Sequence, residues 1–204
     1  MNSRKLSTLT GISYLIIFFT AIYANFFMLE ALKENPLETI LHQQLVVRTG
    51  ILAFLITVVF DVVVAWGLFE LYKKHLLTRL STYFRLMHAA IMAVAIFALV
   101  LSLSSVSGEE VTQRVNTFEI IWLIGLFFFG AHLILLARII ERPRWIALFI
   151  LLAGIMYMVD TGAHFLLPNY TDYADLFLAL VAIPSIFGEM AFTVWLLVKG
   201  GKKL

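Results

Sequence analysis

Asp61, His132, Asp160 and Glu189 each stand in a long run of Leu, Ile, Val and Phe. In the middle of a membrane helix an ionisable side chain costs about 2.5–3.5 kcal/mol on insertion scales, so such a group faces protein or water and is paired or functional. Depth along the apolar runs sorts these residues into two layers. The inner layer holds Asp61, Arg85, His88, His132 and Glu189. Its chemistry is the binding of a small solute or a proton beside a carboxylate, with Arg85 as counter-charge. Burial disfavours a bare charge, which makes proton binding physically available to Asp61 or Glu189. The competing reading is a polar clamp, in which Arg85 or His88 pairs with Asp61 or Glu189 and only holds helices together. The outer layer holds Asp160, His164 and Arg48. Asp160 and His164 are four apart on one helix face and within reach of each other, while Arg48 reaches toward Asp160 or Glu119. Ordinary ion pairing explains this outer set.

Neighbouring residues favour burial of the inner layer against protein. Ala53, Thr57, Asp61 and Ala65 recur at four-residue spacing, as do Ser185, Glu189 and Thr193, and Arg85, His88, Met92 and Ala95 share a stripe. Small and hydroxylated residues on one stripe let helix backbones approach and polar groups pair. Pro184 removes a backbone donor just before Glu189 and is expected to bend its helix.

Other chemistries lack a signature. A metal-dependent intramembrane hydrolase would have to draw on His88, His132, Asp61 and Glu189 from four separate segments, and neither HExxH nor a Glu-x-x-His pair is present. Haem ligation by His88 and His132 is conceivable from their depths, but a lone membrane histidine is more often a packing residue. Gly-x-Ser-x-Gly, phosphate loops and dinucleotide fingerprints are absent. Cysteine is absent too, which removes disulfides, thiolate ligands and Cys nucleophiles. No metal and no cofactor is expected, and an interaction role without any ligand remains the bland alternative to both site readings.

The elements that must carry these residues are transmembrane helices. Of 204 residues 62% are hydrophobic and 14% charged, against about half and about a quarter in soluble domains. Six stretches suffice to cross a bilayer: 11–29, 49–69, 86–106, 120–140, 145–167 and 176–198. They lack the alternation of barrel strands, so the fold class is an all-α, six-helix membrane bundle, one transmembrane domain over 1–204. The first stretch is longer than a signal-peptide core and lacks a small-x-small site, and so reads as a retained span. Two three-helix halves would be inverted relative to each other, with Asp61 and Asp160 in corresponding spans, but Glu189 has no counterpart in the third span.

Twelve of the fifteen Lys and Arg residues fall on one side, among them Lys73, Lys74, Arg142, Arg144, Lys199, Lys202 and Lys203. Only Lys33, Arg48 and Arg114 fall on the other. The positive-inside rule then places both termini in the cytoplasm, in the cell membrane. Trp66, Trp122, Trp145 and Trp195 read as interfacial anchors. The basic residues are scattered over short termini and loops, so nucleic acid is not an expected partner. The lipid bilayer is, with a small molecule or proton as the candidate ligand. Lipid-facing and partner-facing apolar surface look alike, so no oligomeric state follows.

The order of several motifs resembles a bacterial family known as domain of unknown function 4386. The likeness runs from Gly11-Ile12-Ser13-Tyr14-Leu15 through Asp61 and Arg85-Leu86. It continues with Phe127-Phe128-Phe129-Gly130-Ala131-His132-Leu133, Tyr157-Met158-Val159-Asp160 and Leu167-Pro168-Asn169-Tyr170. Its most specific part is Pro184-Ser185-Ile186-Phe187-Gly188-Glu189 followed by Trp195-Leu196-Leu197-Val198-Lys199-Gly200. The resemblance implies a six-span membrane protein and no particular activity. Asn25 stands where the family pattern places an acid in the first span.

Overall fold

In a computed structural model, which describes residues 2–200, the chain is a ring of six long helices. Lys202 and Lys203, two of the cations that enter the charge count, lie outside the described residues. The spanning helices are α1 (Ser3–Glu34), α3 (Gln44–Tyr72), α4 (Thr78–Ser102), α5 (Gly108–Ile139), α6 (Arg144–Leu166) and α7 (Ala174–Val198). A short helix, α2 (Pro36–His42), links the first two spans. Each span packs against the span before and after it, and α7 closes the ring against α1. All six are long and apolar enough to cross a membrane, and the chain is a multi-pass membrane protein.

Local chemistry sets the helix ends. Asn2 caps α1 by accepting from the Arg4 amide at 3.1 Å. Ser107 caps α5 by accepting from the Glu110 amide at 3.2 Å, and the Glu110 carboxylate accepts in return from the Val106 amide at 3.1 Å. Both contacts satisfy amides that a helix start otherwise leaves without partners. Ring closure has its own chemistry. The Arg4 guanidinium donates to the carbonyls of Leu196 and Gly200, each at 3.0 Å, and to that of Leu197, while Ser7 Oγ donates to the Leu196 carbonyl at 2.8 Å. A cation at a helix C-terminus satisfies its last carbonyls and opposes its dipole.

Two hydrophobic clusters fill the ring at different depths. One gathers Met28, Leu32, Ile40, Phe54, Leu99 and Phe118, the other Tyr14, Leu68, Leu133, Ile150, Phe192 and Leu196. Along α3, Phe54 belongs to the first and Val64 to the second, and buried Thr57 and Asp61 fall between them. Glycines set the tightest helix crossings. A Cβ on Gly130 would stand 2.6 Å from the Gly154 carbonyl oxygen, and one on Gly188 would stand 2.9 Å from the Ile150 amide nitrogen. These crossings press α5 to α6 and α6 to α7 beside His132 and Glu189.

Several expectations are corrected. The third span starts at Thr78 and ends at Ser102, not at 86 and 106, because Thr78–Phe84 is amphipathic and continues the helix past the purely apolar run. Arg85 therefore lies seven residues, about 10 Å, inside its helix. The first span runs past residue 29, through a π-helical segment Ala24–Leu29, in which Asn25 Nδ2 donates to the Ala21 carbonyl at 2.8 Å. Trp122 packs edge-on to Phe54 and Phe118 at 5.1 and 5.0 Å, against the first apolar cluster.

Candidate functional site

The seam between the two apolar clusters is occupied by Arg85. Its side chain is 1% exposed, and three spans supply its polar contacts. Nη2 donates to Asp61 Oδ1 of α3 at 2.5 Å, and Nη1 donates to the Tyr14 hydroxyl of α1 at 3.1 Å and to His132 Nε2 of α5 at 3.3 Å. The guanidinium carbon also lies 4.9 Å from the centre of the Tyr14 ring and 5.3 Å from that of Phe129. A delocalised, weakly hydrated cation with several donors and an aromatic-facing plane suits such a site better than an ammonium would.

Hydrogen bonding assigns the state of His132. Its Nδ1 lies 3.0 Å from the Ser81 carbonyl oxygen, which only accepts, so Nδ1 carries the proton. Its Nε2 faces a guanidinium, which only donates, so Nε2 carries the lone pair. His132 is thus the neutral Nδ1–H tautomer. Ser81 Oγ, 2.9 Å from Nδ1, also reaches the His132 carbonyl at 3.4 Å and ties α4 to α5.

His88 completes the acidic side, with Nε2 3.7 Å from Asp61 Oδ2. Gly125 of α5 lets it approach closely, since a Cβ there would stand 3.3 Å from His88 Nδ1. Among the described residues, His88 Nδ1 and Arg85 Nε have no hydrogen-bond partner. Phe129 lies against both imidazoles, at 4.9 Å from His88 and 5.9 Å from His132. Tyr157 of α6 packs edge-on to Phe129 at 5.5 Å, and Phe192 of α7 packs edge-on to Tyr14 at 6.0 Å. Every spanning helix therefore contributes to the walls of this site.

Of the inner residues, Asp61, Arg85, His88 and His132 come into direct contact and Glu189 does not. Glu189 is half-buried on α7, within electrostatic range of Arg85 and Asp61 but without an ion-pair partner among the described residues. The expected polar cavity in the inner half is much reduced. A crevice of ≈ 10 Å³ reaches Ser81 and His132 between the ends of α3, α4 and α5, lined on its way by Tyr72, Thr78 and Ile139. That is room for about one water. No group of three His, Asp or Glu side chains is placed to hold a metal ion among the described residues. Three of the four ring nitrogens of His88 and His132 instead face Arg85, Ser81 and Asp61.

The outer residues do not pair as expected. Asp160 Oδ1 accepts from the Tyr170 hydroxyl at 2.6 Å, and the exposed His164 ring packs edge-on to Tyr170 at 4.5 Å. The turn after α6 brings Tyr170 back over Asp160, which supplies the nearer donor. Glu119 pairs with Lys33 at 2.7 Å, and among the described residues Arg48 reaches only Gln44, at 3.5 Å on its own helix. Tyr14, Ser81 and Phe129 were not among the expected site residues. The stripe Ser7, Thr10, Tyr14 on α1 carries the same small-and-polar spacing that marks the other faces, and Ser81 extends the Arg85–His88 stripe by one turn.

The chain matches the family model described as domain of unknown function (DUF4386) over residues 9–200. An uncharacterized protein of Archaeoglobus fulgidus is similar to it, 27% identical over 159 residues that cover 75% of this chain and 85% of the relative. No solved structure matches. The chain belongs to the domain of unknown function 4386 family.

Proposed function

We propose that this membrane protein binds and exchanges a proton at the Arg85 site, with Glu189 as the exchanging carboxylate. Charge arithmetic carries the reading. The region holds two carboxylates, Asp61 and Glu189, and one guanidinium. Asp61 already engages that guanidinium at 2.5 Å, and His132 is neutral by its hydrogen bonds. A net charge at this depth is costly, so neutrality calls for one more proton, on Glu189 or on His88. Glu189 retains accessible surface, which suits a group that trades protons. The ≈ 10 Å³ crevice beside His132 favours a proton carried through water over a larger solute.

The reading takes both termini as cytoplasmic and the crevice as opening toward the cytoplasm, on the strength of the Lys and Arg distribution. The cell membrane is the proposed location. A pure clamp is favoured by the short Asp61–Arg85 contact, and proton counting separates the two readings. Purified wild type should release about one proton more than Glu189→Gln as pH is raised from about 6, where an ordinary Glu carboxyl is already ionised, to about 8. Equal release by the two proteins would leave the clamp alone.

A further inference from the structure

At the basic end of the ring, a surface groove of ≈ 610 Å³ is lined by Arg142, Pro143, Arg144, Trp195 and Lys199. Three of its five lining residues are cations and none is an acid. They come from the α5–α6 connection, the first turn of α6 and the end of α7, so the fold gathers charges that are more than fifty residues apart in the chain. All three are exposed, and among the described residues none has an acidic ion-pair partner. Elsewhere on the surface Lys33 reaches Glu119, Lys73 reaches Glu70 and Arg114 reaches Glu110, while exposed Lys5, Arg48, Lys74, Arg79 and Arg138 also have no acidic partner among the described residues but are not gathered with an aromatic wall in one groove. The groove is therefore a local excess of uncompensated positive charge.

Its walls are amphipathic as well. Trp195 is half-buried, stacked on Phe192 with 6.0 Å between ring centres and 10° between planes, so one face of the indole is held by the bundle. Trp145, 54% exposed, stands one residue beyond Arg144. Tryptophans at a span end mark the headgroup level of the bilayer. A cationic groove with an aromatic wall at that level complements a ligand with an anionic phosphate at one end and hydrocarbon at the other.

We infer that this groove binds the headgroup of an anionic phospholipid, with Arg142, Arg144 and Lys199 on the phosphate and Trp195 against the glycerol and upper acyl chain. Arginine presents a planar fork to phosphate oxygens, whereas lysine acts as a point charge, so the two arginines set the geometry of the site. The groove is separate from the Arg85 site, and its occupancy does not depend on proton exchange there.

The test is native mass spectrometry of the full chain extracted from vesicles of equimolar phosphatidylglycerol and phosphatidylcholine. Wild type should retain phosphatidylglycerol in preference to phosphatidylcholine. Arg142→Gln/Arg144→Gln/Lys199→Gln should lower that preference by about fivefold for each charge removed, the scale of one basic residue beside an anionic surface. Lys73→Gln/Lys74→Gln/Arg79→Gln, which removes the same charge from the same end, should keep it. Arg142→Lys/Arg144→Lys preserves charge, guards against misfolding of the first variant, and should show an intermediate preference. Equal loss in both triple variants would reduce the groove to diffuse surface charge and overturn the proposal. So would equal retention of the two lipids by wild type, or complete displacement of phosphatidylglycerol by millimolar inorganic phosphate, which would make free phosphate the ligand.

Discussion

Arg85 pairs with Asp61 where neither has water to fall back on, and the energetics of that pair follow from its burial. Removing one member of a buried ion pair leaves an uncompensated charge and costs about 3–5 kcal/mol, whereas removing both together costs far less. Asp61→Asn should therefore lower the thermal unfolding temperature sharply in detergent, and Asp61→Asn/Arg85→Met should recover most of the loss. Additive losses would mean that the two side chains do not act as a pair. Asp61, Arg85, His88, His132 and Glu189 can be singled out in the sequence because a charge or imidazole is conspicuous among Leu, Ile and Val. Their partners cannot be found that way. Tyr14, Ser81 and Phe129 are ordinary residues for a membrane helix, and only the meeting of α1, α4 and α5 gives them a role.

The helices are legible in length and number because hydrocarbon requires about twenty apolar residues per crossing. Their ends are less so. Hydropathy stops at residue 86, but the α4 backbone continues to Thr78, since Ser81 and Arg85 find partners inside the ring instead of solvent. The π segment at Ala24–Leu29 and the short α2 also leave no hydropathy mark. Crossing distance is set by glycine. Gly130→Ala would place a methyl 2.6 Å from the Gly154 carbonyl oxygen, and backbone cannot yield as a flexible side chain does. Overpacking of this kind costs about 1–3 kcal/mol, so Gly130→Ala should unfold at lower temperature, while Gly162→Ala, with nothing within 4 Å of the added carbon, should not.

For the whole molecule, closure of the ring and its direction in the membrane are the features with consequences. Arg4 and Ser7 fasten α1 to the end of α7, and hydrogen bonds from a charged donor contribute about 1.5–3 kcal/mol each when the partner is a buried carbonyl. Arg4→Ala should accordingly speed proteolysis at the C-terminal end more than at the α3–α4 turn. Orientation is open to a clean chemical test, because the chain contains no cysteine. In intact cells an impermeant maleimide should label Val106→Cys and spare Lys74→Cys; the opposite pattern would invert the proposed topology. The exchangeable proton is tested most directly by infrared difference spectroscopy of purified protein as pH is moved through neutrality. A protonated-carboxyl band should titrate in wild type, persist in Tyr14→Phe, and vanish in Glu189→Gln. A wild-type protein without such a band, or a band untouched by Glu189→Gln, would contradict the account.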